Sequence, residues 1–343
     1  MSDTFRIAII GEAYGETEEQ YRLPFVGHAG QELTRILADA GISRSHCFIT
    51  NTFNLRPAHN DIETLCVPKS SPDRIPGRGP FAPGKYFRQE YYPEIARLYS
   101  ELEAVRPNVA VLLGNTACWA LLDRTSISKI RGTVSYSPIL PWLKCLPTYH
   151  PAAILRQYDL RHVTVLDFVK AKLESEFPEV RRPRREIWIE PEVEDIHLFK
   201  KDYIDGCKVL SFDIETAFEE ITCIGFSPSI DRALVVPFVD VRKPGCNYFQ
   251  TFEEELSAWS AVADILSGPE PKVGQNGLYD IQYLWMKYGI PVNNYCEDTM
   301  LLHHSLFPES PKGLDFLGSV YTNEAAWKTE RPRGKHTIKR EDE

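Results

Sequence analysis

Four short apolar runs, each giving way to a polar motif, constrain the first half of this chain more than any other feature. The runs are Arg6–Ile10, Cys47–Thr50, Val109–Leu113 and Lys144–Thr148. They are followed by GEAYGE (Gly11–Glu16), Asn51, Gly114-Asn115 and His150-Pro151. Runs of this length with abundant Ile, Val, Leu and Thr read as buried strands. Between them, Gly30–Ala40, Tyr92–Val105 and Thr116–Leu122 carry apolar residues at helical spacing. Strands alternating with helices predict an α/β fold on a mainly parallel sheet. Ligands of such sheets bind beyond the carboxyl ends of the strands. The four polar motifs are therefore expected to converge on one edge.

The second half has a different grammar. Lys208–Asp213, Ile221–Phe226 and Ala233–Val239 read as strands with short connections, an antiparallel meander. Glu253–Leu266 reads as a helix, Lys272–Gln275 as a short strand, and Leu278–Tyr288 and Thr299–Leu306 as helices. That order fits a ribonuclease-H-like α/β domain. Between the halves, Phe177–Pro191 holds three prolines and the arginines 181, 182, 184 and 185. Proline with a like-charge run predicts an exposed tether, with contact to a DNA backbone as the alternative. The chain thus divides into a domain over 1–177, a linker over 178–206 and a second domain over 207–343. Its 343 residues suit two domains at roughly 100–200 residues each. The segment Cys66–Phe87, with five prolines and the cations Lys69, Arg74, Arg78 and Lys85, reads as a long basic loop, functional or disordered.

Charge and cysteine content narrow the function classes. Lys and Arg number 39 against 48 Asp and Glu, a net charge of −9. An acidic total does not exclude nucleic acid, because metal-binding carboxylates and local basic patches coexist in such enzymes. None of the eight cysteines forms a CxxC pair, so their spacing offers no zinc site. No apolar run approaches the ~18 residues of a membrane span, and the polar start is not a signal peptide. A cytoplasmic protein with reduced thiols is expected.

The strand-end motifs suit recognition of a small planar polar ring. An Asn51 amide offers a donor and an acceptor side by side, matching an imide edge such as that of uracil. Phe25, in LPFVG, is placed to stack on the ring, and His150 to stabilise an anionic leaving group. A base held this way must leave the duplex stack. The segments GEAYGETEEQYRLPFVGHAGQEL, ITNTFNLRPAHN, LLGNTA, KIRG and TYHPAAILR resemble, in order, the family-4-like branch of the uracil-DNA glycosylase superfamily. The resemblance implies a three-layer αβα sandwich that cleaves the bond between uracil and deoxyribose. It implies substrate and water contacts at Glu12 and Ala13, an acidic catalytic position at Glu18, and a stacking role for Phe25. It also implies uracil reading by Asn51, the motif histidine at His150, and a segment after His150 that enters the DNA groove. Three departures stand out. Tyr14 replaces a proline. Leu55 occupies the place of a cluster-ligating cysteine, so no iron–sulfur cluster is expected, with the basic loop near Cys66 filling its space. Ala13 replaces the aspartate of the family-1 motif, which leaves the general base open.

Asp213 and Glu215 form a DxE on a strand, where residues two apart face the same side. Asp280 follows Gly274-Gln275-Asn276 on a helix. Converging carboxylates suit hard divalent cations, which activate water in phosphodiester hydrolysis. LSFDIETA, VGQNGLYDIQYL and EDTMLLHHSLFPESPKGLDFL resemble, over Lys208 to about Tyr321, the proofreading 3′–5′ exonuclease domain of family A DNA polymerases. That likeness implies Mg²⁺ or Mn²⁺ at Asp213, Glu215 and Asp280, substrate contact at Asn276, and a DT pair at Asp298. The third motif of that family is missing before Glu343, so an incomplete domain with weak nuclease activity is expected. Together the two resemblances imply a DNA replication or repair protein of bacteriophage type, in the host cytoplasm. Its partners would be uracil-containing DNA and single-stranded 3′ ends. The alternatives are a DNA-binding accessory subunit of a separate polymerase chain, or a nuclease acting on RNA.

Overall fold

A computed structural model describes residues 5–217 and 219–324. By internal packing the chain divides into two units. One holds the residues up to Arg181 together with the chain from Asp315, and the other holds Arg182–Leu314. Residues 325–343, part of the second domain expected over 207–343, lie outside the described residues.

The strands of the first unit are β1 (Ile7–Ala13), β2 (Cys47–Phe53), β3 (Cys66–Pro68), β4 (Lys85–Phe87), β5 (Val109–Leu113), β6 (Ser135–Tyr136) and β7 (Lys144–Thr148). Its helices are α1 (Glu16–Tyr21), α2 (His28–Asp39), α3 (Tyr92–Val105), α4 (Gly114–Leu122), α5 (Ile127–Ile130), α6 (Pro151–Ile154) and α7 (Leu160–Glu174). Among the described residues the central sheet runs β2-β1-β5-β7-β6. β1, β2, β5 and β7 are parallel, and β6 is antiparallel to β7. The two-residue period of β1 sorts its side chains between two cores. Ile7 and Ile9 pack with Leu33, Ile36 and Phe168 of α2 and α7. Ala8 and Ile10 pack with Leu98 and Trp119 of α3 and α4 on the other side. This is the αβα sandwich, and the parallel strands bring all four polar motifs to one edge.

The second unit adds β8 (Glu186–Trp188), β9 (Leu210–Ala217), β10 (Glu220–Ser229), β11 (Arg232–Pro237), β12 (Lys272–Gly274) and β13 (Tyr295–Asp298). Its helices are α8 (Val193–Phe199), α9 (Phe252–Ser267), α10 (Leu278–Tyr283) and α11 (Thr299–Leu306). The sheet order is β13-β12-β9-β10-β11-β8. β9, β10 and β11 form the antiparallel meander, while β12 and β13 lie parallel to β9. Leu210, Phe212 and Ile214 are buried among Ala258, Val262 and Ile265 of α9, whereas Ser211, Asp213 and Glu215 alternate onto the open face. A capping box between Thr251 and Glu254 starts α9.

Three expectations need correction. The linker over 178–206 is mostly folded. β8 pairs with β11, and α8 packs Ile196 and Phe199 into the second core. Its charged residues lie on the outer sides of these short elements, which made the stretch read as a tether. The second domain, expected to continue past Leu314, gives way there: helix α12 (Leu314–Tyr321) groups, from Asp315 on, with the first unit. The basic loop is neither disordered nor a free cationic patch. β3 and β4 pair as a hairpin that presses Ile75 and Phe87 into the core beside Phe53 and Trp119. Arg78 lies 4.6 Å from the Trp119 ring and donates to the Trp119 and Ala120 carbonyls, and Lys85 pairs with Glu63. Among the described residues no helix is long and apolar enough to cross a membrane.

Candidate functional site

The first site is assembled around Gly11. β1 and β2 are in register there, Gly11 beside Asn51. A Cβ at residue 11 would stand 2.2 Å from Asn51 Oδ1 and 2.6 Å from the Phe25 ring. The missing side chain is therefore what lets the amide and the aromatic ring share one place. Asn51 is buried, and α3 holds its backbone. Arg97 donates to the carbonyl of Asn51 at 2.8 Å and is itself paired with Glu94 and Glu101. Glu94 in turn accepts the Asn54 N–H at 2.8 Å.

Phe25 takes a left-handed backbone conformation, φ +56°. Arg44 donates to its carbonyl at 2.8 Å, and Gly30 gives that carbonyl room, since a Cβ there would lie 1.8 Å from the oxygen. The Phe25 ring meets the His150 ring at 5.6 Å between centroids, tilted by 31°. Glu18 is buried with its carboxylate accepting the Gly27 N–H at 2.9 Å, between Gly15 and Gly27. That contact fixes the loop leading out of Phe25.

His150 caps α6. Its Nδ1 accepts the Ala152 N–H at 3.1 Å, which leaves the imidazole proton on Nε2. Burial, with Arg156 beside it, pushes its pKa down to about 4, so the ring is neutral at pH 7. Glu12 accepts the Thr116 hydroxyl at 2.6 Å, and burial raises its pKa against the pull of Thr116 and Arg156. Ala13, paired in register with Phe53, leaves the space beside Glu12 free of a second carboxylate. The two departures at Tyr14 and Leu55 touch: the Tyr14 N–H donates to the Leu55 carbonyl at 3.0 Å, a bond that proline cannot make. Beyond His150, Leu155 and Tyr158 are 53% and 72% exposed, and Tyr21 and Leu23 are exposed ahead of Phe25.

The family model of the uracil DNA glycosylase superfamily matches residues 1–173 of this chain. The chain belongs to that superfamily. The type-4 uracil-DNA glycosylase of Thermotoga maritima is 34% identical over 174 residues, 49% of this chain and 76% of that protein. That of Archaeoglobus fulgidus is 34% identical over 172 residues, 48% of this chain and 74% of that protein. Among solved structures, the Aedes aegypti Nibbler EXO domain shares 15% identity at a TM-score of 0.30, over 41% of this chain and 72% of that one. An EXD2 exonuclease domain soaked in Mn shares 18% identity at a TM-score of 0.26, over 35% of this chain and 58% of that one. Likenesses this low carry no weight for the second unit. Within the superfamily unit, sequence reading missed Arg44, Arg97, Thr116 and Arg156. Each acts across a long sequence separation, and only the Glu94/Arg97/Glu101 spacing on one helix face hinted at a shared anchor.

In the second unit Asp213 and Glu215 share the open face of β9, and the Ile214 N–H donates to Asp280 Oδ1 at 2.9 Å. Burial, followed by the charges of Asp280 and Glu215, pushes the Asp213 pKa up to about 6. Burial likewise raises Asp280. The three carboxylates thus repel one another. Among the described residues, however, no three His, Cys, Asp or Glu side chains stand close enough together to enclose a metal ion. The donor types fit a hard cation, and one oxygen of Asp280 is already committed to Ile214. Asn276 has φ +57°, and its N–H donates to Asp298. Asp298 also accepts from Gly277, Met300 and Tyr295, a full set of bonds that makes it a cap for α11. A groove of about 580 Å³ past the end of β9 is lined by Thr216, Tyr279, Tyr283 and Lys287.

Proposed function

We propose that the first unit excises uracil from DNA by hydrolysing the N-glycosidic bond. The observation that carries this is the shared position of the Asn51 amide and the Phe25 ring over Gly11, with His150 against the same ring. A flipped base stacks on Phe25 while the amide of Asn51 reads its imide edge. His150, with its proton on Nε2, donates to the uracil oxygen that gains charge as the base departs. A neutral donor is suited to an oxyanion because it stabilises charge without first giving up its proton. Glu12 opposes the positive charge that develops on the sugar and orients the attacking water. Glu18 is a positioning residue for the Phe25 loop. The exposed Leu155 and Tyr158 contact the duplex where the base leaves it.

The second unit is proposed as a divalent-metal 3′–5′ exonuclease-like module. Support comes from its strand order and from the electrostatic coupling of Asp213 to Asp280 and Glu215, although the three do not enclose an ion as they stand among the described residues. The motif resemblance assigns Mg²⁺ or Mn²⁺ to these three, where such an ion would activate water for phosphodiester hydrolysis. Asn276 would meet the nucleic acid. A 3′ DNA end as substrate, a family A polymerase setting with its bacteriophage origin, a polymerase partner and the host cytoplasm rest on the motif resemblance alone.

The test is uracil release from single-stranded and duplex oligonucleotides in EDTA, which silences a metal-dependent nuclease. Excision by the native chain that is lost in Asn51→Ala and His150→Ala supports the reading. DNA binding without excision overturns it and favours a binding module.

A further inference from the structure

Helix α12 docks on the first unit behind the strand that carries His150. Arg131 is buried there and organises the contact. Its Nε donates to Asp167 Oδ2 at 3.0 Å, its Nη2 to Asp167 Oδ1, and its Nη1 to Ser319 Oγ on α12 at 2.8 Å. Thr148, the last residue of β7, donates to the same Asp167 Oδ2 at 2.6 Å. The Gly132 N–H donates to Pro147 of β7 at 2.8 Å. Lys170 ties the Gly132 carbonyl to the carbonyls of Ser319 and Thr322. Gly132 has φ +72°, and a Cβ on it would stand 2.8 Å from the Ser319 carbonyl and 2.9 Å from Asp167. The approach of α12 thus depends on a glycine inside the KIRG motif.

We propose that Ser319 is a positioning residue for His150, acting through Arg131, Asp167 and Thr148. The superfamily match ends at residue 173, so α12 lies outside the matched segment. The buried Arg131 has only a few acceptors, and withdrawing one leaves a guanidinium donor unpaired beside Asp167. The carboxylate is then free to shift, and with it Thr148, two residues before His150. The residue most sensitive to that shift is Ala152, whose N–H fixes the imidazole. The chain passes through the whole second unit before reaching Ser319. Glycosylase geometry therefore depends on a segment that follows the exonuclease-like unit in sequence.

The inference rests on the role given to His150 above, and its test reads the brace separately from uracil release. In the full chain, Ser319→Lys places a third cation against Arg131 and Lys170 and expels α12, whereas Ser319→Thr keeps the hydroxyl that accepts from Arg131. Ser319→Lys is expected to lower kcat for uracil release about tenfold with KM within about twofold, and to speed amide exchange at Ala152 about tenfold. Ser319→Thr is expected to keep both at the native values. If Ser319→Lys does not fold, Ser319→Ala is read by the same two measures with a smaller change. Released α12, seen as fast exchange at Thr322, with kcat and Ala152 exchange unchanged would overturn the proposal. If the native chain releases no uracil, accelerated Ala152 exchange still supports the brace, and unaltered exchange overturns it.

Discussion

The two candidate sites treat polar groups in opposite ways. In the first unit the groups of the site are held by neighbours from other elements: Arg97 holds the Asn51 backbone, Thr116 meets Glu12, Ala152 fixes His150, and Gly27 satisfies Glu18. In the second, burial and then the like charges of Asp280 and Glu215 push the Asp213 pKa up to about 6. The first site is pre-organised before any substrate arrives, so its electrostatics are already spent on orientation. The second carries unneutralised repulsion, which a cation would relieve. This contrast makes separable predictions.

The largest effects belong to the pre-organised site. Asn51→Ala and His150→Ala are each expected to lower kcat for uracil release by about 10²–10³-fold, the usual cost of removing one donor to a developing oxyanion. His150→Ala should also cost about 1 kcal/mol of stability, because it removes the side chain that caps α6. Steady-state excision and thermal unfolding, measured on the same preparations, check both halves. A tenfold or smaller loss would mean that orientation at these residues is not where catalysis resides.

The pH profile sharpens the same point. His150 is held at about 4 by burial, so its neutral form persists as pH falls. Glu12, whose pKa burial raises, must stay ionised for its own role, so the profile is read in Glu12→Gln. Residual excision there should stay level from pH 8 to about 5, then fall about tenfold per unit below 4, as a proton on Nδ1 displaces the Ala152 N–H. A fall in that variant beginning near the ordinary histidine value of about 6.5 would break the pre-organisation argument. Glu18→Gln gives a milder case. The amide keeps the shape and can still accept the Gly27 N–H, but without charge assistance. A few-fold loss of kcat is expected. An effect as large as that of Asn51→Ala would return Glu18 to the catalytic role that its motif position implied.

What was legible in the sequence follows the range of the interactions. The four strands and their polar ends are local features, so the sheet edge that gathers Asn51 and His150 was readable from spacing, while Phe25 and the roles proposed for all three came with the family resemblance. So was the alternation that puts Asp213 and Glu215 on one face of β9. Arg97, Thr116 and Arg44 were not, because each acts through a side chain reaching a residue far away in the chain. β8 was hidden because Ile187, Trp188 and Ile189 are only a short apolar run among charges, and strand pairing with β11 is a tertiary fact. α12 was assigned to the wrong domain for the same reason. An amphipathic helix shows that it has an apolar face, not which core receives it. The basic loop misled in the other direction: its prolines and cations mask Ile75 and Phe87, the two residues that seat it.

The smallest effect tests the second unit. Asp213 has an ordinary carboxylate value of 3.8 and about 6 in the fold. Below the lower value it is protonated whether folded or unfolded, and its charge costs nothing. Above the higher value it is ionised in both states, and the fold bears the cost of its partial desolvation together with the repulsion of Asp280 and Glu215. Asp213→Asn should therefore stabilise the second unit at pH 7 without metal, and the gain should vanish as pH falls from 6 to below 4. Because the side chain is exposed on the sheet face, solvent screens much of the repulsion, and roughly 1 kcal/mol is expected. Millimolar Mg²⁺ should raise the Tm of the native chain and narrow the difference, since a cation removes the same repulsion by binding. Thermal unfolding across pH, with and without Mg²⁺, measures both. A variant less stable than the native chain at pH 7, with no pH dependence, would mean that Asp213 is engaged in favourable hydrogen bonds. The second site would then resemble the first, with its charges spent on structure rather than held ready for a metal.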